Sequence, residues 1–114
     1  MLESCLEKYM EACIIHGSET VKSEDYRAIN KAHAEIIKNL RILVEDEEGM
    51  KMLKKLLYHE DIYVSSWTAT LLIFGYPREC KKVIKKVMKG KGVWAFSIET
   101  FYKEWKKGNL NRMY

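Results

Sequence analysis

Apolar residues recur along the chain at spacings of three and four positions, which is the period of an α-helix. The pattern is clearest between residues 77 and 90, where Cys80, Ile84 and Val87 alternate with lysines. Side chains three and four positions apart share one helical face, so this segment is predicted to be a helix with one buried and one charged side. No stretch shows the strict alternation that indicates a half-buried strand.

The same pattern predicts six helices. We expect Gly17 to end the first helix and residues 18–23 to form a polar turn. Asp61 is expected to cap the fourth helix, and Pro77 to start the fifth. The fourth helix is apolar around most of its circumference and is therefore predicted to be central and buried. The approximate bounds are 2–17, 26–44, 47–58, 62–74, 77–89 and 93–108.

Two segments resemble each other at an offset of 31 residues. LKKLL at 53–57 aligns with IKKVM at 84–88, and Ile62 aligns with Val93. Helix pairs that repeat in this way stack so that each pair buries the face of its neighbour. The prediction is a single all-α domain, residues 1–114, with about six helices in three antiparallel pairs that form a short α-solenoid. Its units are approximately 1–45, 46–75 and 77–108.

LLYHEDIYVSSWTATLL, at residues 56–72, resembles a HEAT-like repeat unit, and EWKKGNL follows at residues 104–110. Together they are similar to a small bacterial family of HEAT-like domains of unknown function. The matching positions are Leu56, Leu57, His59, Asp61, Val64, Trp67, Ala69, Leu72, Pro77, Gly92, Phe96, Ser97, Glu104, Trp105, Lys107, Gly108 and Leu110. The family's arginine after Val64 is Ser65 here, so no role of that arginine carries over. The resemblance implies a HEAT-like all-α fold and little chemistry. By analogy, similar small domains occur as immunity partners in bacterial toxin systems.

Charge is distributed unevenly along the chain. Residues 1–61 hold 9 Lys/Arg and 13 Asp/Glu, a net charge of −4. Residues 62–114 hold 11 Lys/Arg and 3 Asp/Glu, a net charge of +8. Such a dipole favours a charged partner on at least one end. The alternative is that solvated basic and acidic faces fall in different halves.

The cysteines, the N-terminal segment and the apolar runs predict the cellular compartment of the protein. Cys5, Cys13 and Cys80 are an odd number without CxxC spacing, so neither a disulfide framework nor a zinc site is supported. We expect buried, reduced thiols and a cytoplasmic protein. The N-terminal segment lacks the pattern of a signal peptide, and no apolar run is long enough for a membrane helix.

The histidines offer little catalytic chemistry. His16 is expected at a helix C-terminus, where its charge would complement the dipole, and His33 in the core or at its boundary. His59, Glu60 and Asp61 are interpreted as an inter-helix turn, because adjacent side chains rarely converge on one metal ion. A nucleophile–base pair of Cys13 with His33 rests on residue type alone. No enzymatic activity, cofactor or metal is predicted.

Two surfaces are candidates for binding. The first is a lysine face on the fifth helix, with the predicted partner-binding residues Lys81, Lys82, Lys85, Lys86, Lys89 and Lys91. The second is an aromatic set, mostly core, of which one or two members could anchor a partner at the rim: Tyr63, Trp67, Trp94, Tyr102 and Trp105.

These surfaces lead to two functional hypotheses. The favoured one is a non-catalytic protein-binding module, in its specific form an immunity protein that neutralises a bacterial toxin with an acidic surface. The alternative is a nucleic-acid-binding helical-repeat protein that uses the lysine face. A merely solvated lysine face also remains open, and no membrane partner is predicted.

Overall fold

The prediction of an all-α fold with six helices is confirmed by the computed structural model, which describes residues 1–22 and 25–113. The described residues contain no strand. The helices are α1 (Leu2–Lys22), α2 (Tyr26–Val44), α3 (Glu47–Lys55), α4 (Ile62–Leu72), α5 (Pro77–Met88) and α6 (Val93–Lys106), with a 3₁₀ turn at Leu56–Tyr58.

The starts of the helices follow the capping residues in the sequence. The carboxylate of Asp61 accepts hydrogen bonds from the backbone N–H groups of Tyr63 and Val64 at 2.9 and 3.2 Å, as predicted. Asp46 does the same for two amides in the first turn of α3, at 2.8 and 3.2 Å. Pro77 is the first residue of α5, where its missing N–H removes no helical hydrogen bond.

The predicted end of the first helix at Gly17 is wrong. α1 continues through Gly17 to Lys22, so residues 18–22 are helical instead of forming a turn. Ser23, the last residue of the predicted turn, lies outside the described residues. Gly17 is buried, and a Cβ atom built on it would lie 2.1 Å from Cδ1 of Tyr63. Because Gly17 has no side chain, a ring from α4 can approach the backbone of α1 closely at this position. Gly17 does not end the helix.

α4 is the central helix of the fold. It packs against α1, α5, α6 and the 3₁₀ turn, while α1 packs along α2 and also reaches α6. α1, α5 and α6 therefore surround α4, and the molecule measures 36 × 32 × 27 Å. Val64, Ala69, Leu72 and Ile73 on or just after α4 are excluded from solvent.

Buried hydroxyl groups connect α4 to two of its neighbours. Thr68 Oγ1 lies 2.9 Å from the hydroxyl of Tyr9 on α1, and it donates to the carbonyl of Val64. Ser66 Oγ accepts a 2.9 Å hydrogen bond from Nε1 of Trp94 on α6. Because a buried polar group without a partner is costly, these bonds favour one alignment of α1 and α6 on α4.

Gly108 ends α6 and turns the chain back. Its φ of 79° is in the left-handed region that glycine tolerates. The Gly108 N–H donates to the carbonyl of Trp105 at 3.0 Å, and the Asn109 N–H donates to that of Glu104 at 3.1 Å. This Schellman arrangement satisfies two carbonyls at the helix end and directs the following residues onto the body of the protein.

Candidate functional site

The α5 helix separates apolar and basic side chains onto opposite sides, as predicted. Cys80, Ile84 and Val87 are buried against the core. Five of the six predicted lysines are exposed: Lys82, Lys85, Lys86, Lys89 and Lys91.

Lys81 differs from the other five. It is half-buried, and its ammonium group lies 5.4 Å from the centroid of the Trp105 ring on α6. At that distance the cation is attracted to the electron-rich ring face. Lys81 therefore connects α5 to α6, and its charge is partly engaged inside the protein.

The exposed lysines of α5 have no acidic neighbours within ion-pair distance among the residues that the structure describes. The ion pairs present there involve the N-terminus, Lys22, Lys103 and Lys107. Like charges at spacings of three and four positions repel each other on a helix. The positive charges of this face are therefore not balanced by carboxylates of the described residues. An acidic partner would reduce the repulsion between the lysines.

A groove of about 550 Å³ runs between α5 and the turn that precedes α4. We call it the basic groove and define it by its lining residues. Lys82 and Lys86 are the members of the predicted lysine set that line it, and Glu60 contributes an opposite charge. The lining residues are Leu57, Tyr58, His59, Glu60, Ile62, Ser65, Lys82, Val83, Lys86, Val87 and Gly90.

Exposed apolar residues form part of the basic groove, and the sequence interpretation missed them. Of the lining residues, Tyr58 is 77% exposed and Ile62 is 47% exposed. Outside the groove, at the start of α6, Val93 and Phe96 are 51% and 66% exposed. Ile62 and Val93 are equivalent at the 31-residue offset, so each related unit presents an aliphatic side chain at its second helix's first residue. The equivalence of Ile62 and Val93 was visible in the sequence, but the exposure of their side chains was not.

The His59–Asp61 turn serves a structural purpose, as the sequence predicts. Nδ1 of His59 accepts a 3.0 Å hydrogen bond from the backbone N–H of Asp61, whose carboxylate caps α4. Both side chains are thus engaged in holding the turn. Within residues 1–22 and 25–113, no cluster of three or more His, Cys, Asp or Glu side chains could hold a metal ion.

The predicted aromatic set divides between core and boundary. Trp94 and Tyr102 are buried, whereas Tyr63, Trp67 and Trp105 are partly exposed. None of the five lines the basic groove.

The prediction that His16 lies at a helix C-terminus is wrong, because α1 extends six residues beyond it to Lys22. His16 is half-buried between helices, with its ring centroid 4.8 Å from that of Trp67. Burial lowers the pKa of His16 below its ordinary value of 6.5, and the neighbouring His33 adds to this effect. The imidazole is therefore held in its neutral form instead of serving as a cation for the helix dipole.

The thiols offer no activated nucleophile where they are buried. Cys13 and Cys80 are free and buried, and Cys5 is partly buried. Burial raises the pKa of the Cys80 thiol to about 12 and also raises that of Cys13. Because the thiolate is the nucleophile, both groups are held in their unreactive form at neutral pH.

The comparisons with known proteins add no evidence on function, so the basic groove remains the main observation. No protein-family model, no curated protein and no solved structure matches this chain. Over the described ranges, none of the helices combines the length and the apolar character needed to cross a bilayer.

Proposed function

We propose that this chain is a non-catalytic protein-binding module whose basic groove receives an acidic segment of another protein. The observation that carries the proposal is the combination of Tyr58 and Ile62, both exposed, with Lys82 and Lys86, which have no ion pair among the described residues. The HEAT-like resemblance of residues 56–72 supports the same reading, since helical-repeat proteins commonly use an extended face for binding.

The two kinds of side chain have different roles in this proposal. Tyr58 supplies a large ring whose burial against a partner releases water, and tyrosine is enriched among the residues that dominate interface energies. Lys82 and Lys86 attract an acidic segment and align it, which affects the association rate and the specificity more than the affinity. Glu60, on the opposite wall, would disfavour a carboxylate placed beside it, and so restricts how the segment lies.

The specific form that we propose is a toxin-neutralising protein whose partner presents an acidic surface. Its support is the resemblance to the bacterial HEAT-like family and the net charge of +8 on residues 62–114. A protein of this kind needs a rigid, complementary surface and no catalytic residues.

The experiment is partner capture with four forms of the protein as bait, quantified by mass spectrometry. We expect a protein recovered by the wild type to be lost with Lys82→Glu/Lys86→Glu and reduced at least severalfold with Tyr58→Ala. Lys31→Glu/Lys38→Glu on α2 makes the same change in net charge at exposed positions outside the basic groove, and should retain the partner. A partner bound equally by all forms, or no specific partner at all, would contradict the proposal.

Nucleic-acid binding is the second candidate, favoured by the five exposed lysines on α5 and just after it. A protein that contacts phosphates binds with a log–log salt slope of about −0.9 for each phosphate neutralised on a duplex. Titration of labelled duplex and single-stranded oligonucleotides at several salt concentrations therefore separates the two functions. Binding that depends steeply on salt and is lost in Lys82→Glu/Lys86→Glu would favour nucleic acid as the partner. Absence of such salt-dependent binding in the wild type would favour a protein partner.

A further inference from the structure

His59 lies in the turn before α4 and lines the basic groove together with Lys82 and Lys86. The two nitrogens of its ring have different surroundings. Nδ1 accepts a 3.0 Å hydrogen bond from the backbone N–H of Asp61, the residue whose carboxylate caps α4. The side chain as a whole is half-buried, so it is neither enclosed in the core nor a freely moving surface group.

The hydrogen bond from Asp61 fixes the position of the imidazole proton. A ring nitrogen that accepts a hydrogen bond carries no proton, and a neutral imidazole has one N–H. In the neutral ring of His59 the proton is therefore on Nε2, which makes that nitrogen a hydrogen-bond donor. The same bond holds the plane of the ring, because a rotation would take Nδ1 away from the Asp61 N–H.

The Nε2–H donor of His59 is unused within the described part of the chain. The one hydrogen bond of the ring among these residues is the one that Nδ1 accepts. The buried side-chain nitrogens and oxygens without a partner there comprise Nε1 of Trp67 alone. Nε2 of His59 also lacks a partner and is not among these buried atoms, so it is accessible from outside the protein.

The basic groove therefore contains a neutral, directional donor near two ammonium groups. Lysine attracts an anion strongly, but its stem is flexible and its three protons rotate, so it fixes the position of a single carboxylate poorly. The ring of His59 is already held by Asp61, and little conformational entropy is lost when it donates to a ligand. A carboxylate accepts several hydrogen bonds at once, so it can bind the ring N–H and a lysine together.

We infer that His59 is a specificity-determining residue of the basic groove, and that its Nε2–H donates to a carboxylate of the acidic segment. Lys82 and Lys86 balance the charge of that segment, while His59 determines where one of its carboxylates lies. The ring thus has two roles, since Nδ1 holds the turn and Nε2 binds the partner. This inference rests on the proposed function and adds a residue to its binding site.

The first test follows the imidazole nitrogens of His59 by long-range ¹H–¹⁵N NMR, in mildly alkaline buffer of low ionic strength. We expect the free protein to carry its proton on Nε2 and none on Nδ1. The probe is a hexaglutamate peptide with blocked ends, and hexaglutamine is the uncharged control. Saturable binding of hexaglutamate should shift the Nε2 signal, and hexaglutamine should not. A proton on Nδ1, or an Nε2 signal that does not change while hexaglutamate binds, would overturn the inference.

Two substitutions of His59 separate its two roles. In His59→Asn the side-chain oxygen can still accept from the N–H of Asp61, two residues on, but no donor remains at the position of Nε2. We expect wild-type stability in urea and an affinity for hexaglutamate about tenfold lower, the magnitude of one hydrogen bond to a charged group. His59→Gln places an amide near the position of Nε2 and loses the short-range acceptor. It should be less stable than His59→Asn and bind hexaglutamate more tightly.

The order of these two variants distinguishes a binding role from a structural one. If His59 only held the turn, affinity would follow stability, so His59→Asn would bind like the wild type and His59→Gln would bind less, which would overturn the inference. Lys82→Glu/Lys86→Glu is the reference and should abolish hexaglutamate binding. If it does so while His59→Asn binds normally, the proposed function stands and the inference fails. If hexaglutamate never binds the wild type saturably, the basic groove does not receive acidic segments, and both fail.

Discussion

Gly17→Ala is expected to destabilise the protein although alanine is the better helix former. In a helix interior, replacing glycine by alanine ordinarily stabilises by about 1 kcal/mol. Here the new Cβ would lie 2.1 Å from Cδ1, 2.4 Å from Cγ and 2.8 Å from Cε1 of Tyr63. The ring would have to retreat by roughly 1.4 Å to reach a normal carbon–carbon contact of about 3.5 Å.

The Tyr63 ring has little room for that movement. It packs edge to face on Trp94, with centroids 5.2 Å apart and an interplanar angle of 84°. Overpacking costs about 1–3 kcal/mol, and a clash with three ring atoms places this case in the upper half of that range. Subtracting the helix-propensity gain leaves a net destabilisation of about 1–2 kcal/mol, which lowers Tm by about 5–10 °C.

The assay is urea unfolding followed by far-ultraviolet circular dichroism, carried out in two backgrounds. In Tyr63→Ala the obstructing ring is gone, so adding Gly17→Ala should stabilise that variant by about 1 kcal/mol. The sign of the effect therefore reverses, which a double-mutant cycle measures directly. A stabilising Gly17→Ala in the wild type, or the same destabilisation in both backgrounds, would refute the reasoning.

Two further predictions concern the start of α4 and the half-buried His16. Asp61→Ala should lower the free energy of unfolding by about 1 kcal/mol, because the N–H groups of Tyr63 and Val64 lose their acceptor. Asp61→Asn, which can still accept, should cost less than half as much in the same urea titration, and an equal loss would contradict the cap. The lowered pKa of His16 means that the folded state favours the neutral imidazole, so its contribution to stability is complete above pH 6.5. That contribution should be lost as the pH falls through the folded-state pKa, and His16→Gln should flatten the measured slope below pH 6.5, whereas an unchanged slope would count against the assignment.

The helical architecture was predictable from the sequence because its determinants are local. Amphipathic periodicity identified all six helices, and Asp61 and Pro77 marked two of the starts, as the structure confirms. A capping carboxylate acts on amides two and three residues away, and a proline fixes its own φ. Neither effect depends on which distant element packs nearby.

The two wrong predictions on α1 share a non-local cause. A glycine after an apolar stripe commonly ends a helix. Because Gly17 was expected to end α1 for this reason, His16 was predicted to lie at the C-terminus of that helix. In the structure the glycine accommodates Tyr63, which is 46 residues away in the chain and belongs to α4. Close approach between helices leaves no mark in the sequence around the small residue, so local rules cannot separate the two uses of glycine.

The candidate site was predictable in its charge but not in its shape. Lysine spacing on α5 placed Lys82 and Lys86 on one exposed side, which the structure confirms. Tyr58 and Ile62 belong to the apolar pattern of the turn and of α4, and pattern alone assigns such residues to the core. Their exposure follows from the way the 3₁₀ turn and α5 meet, which only the tertiary structure provides.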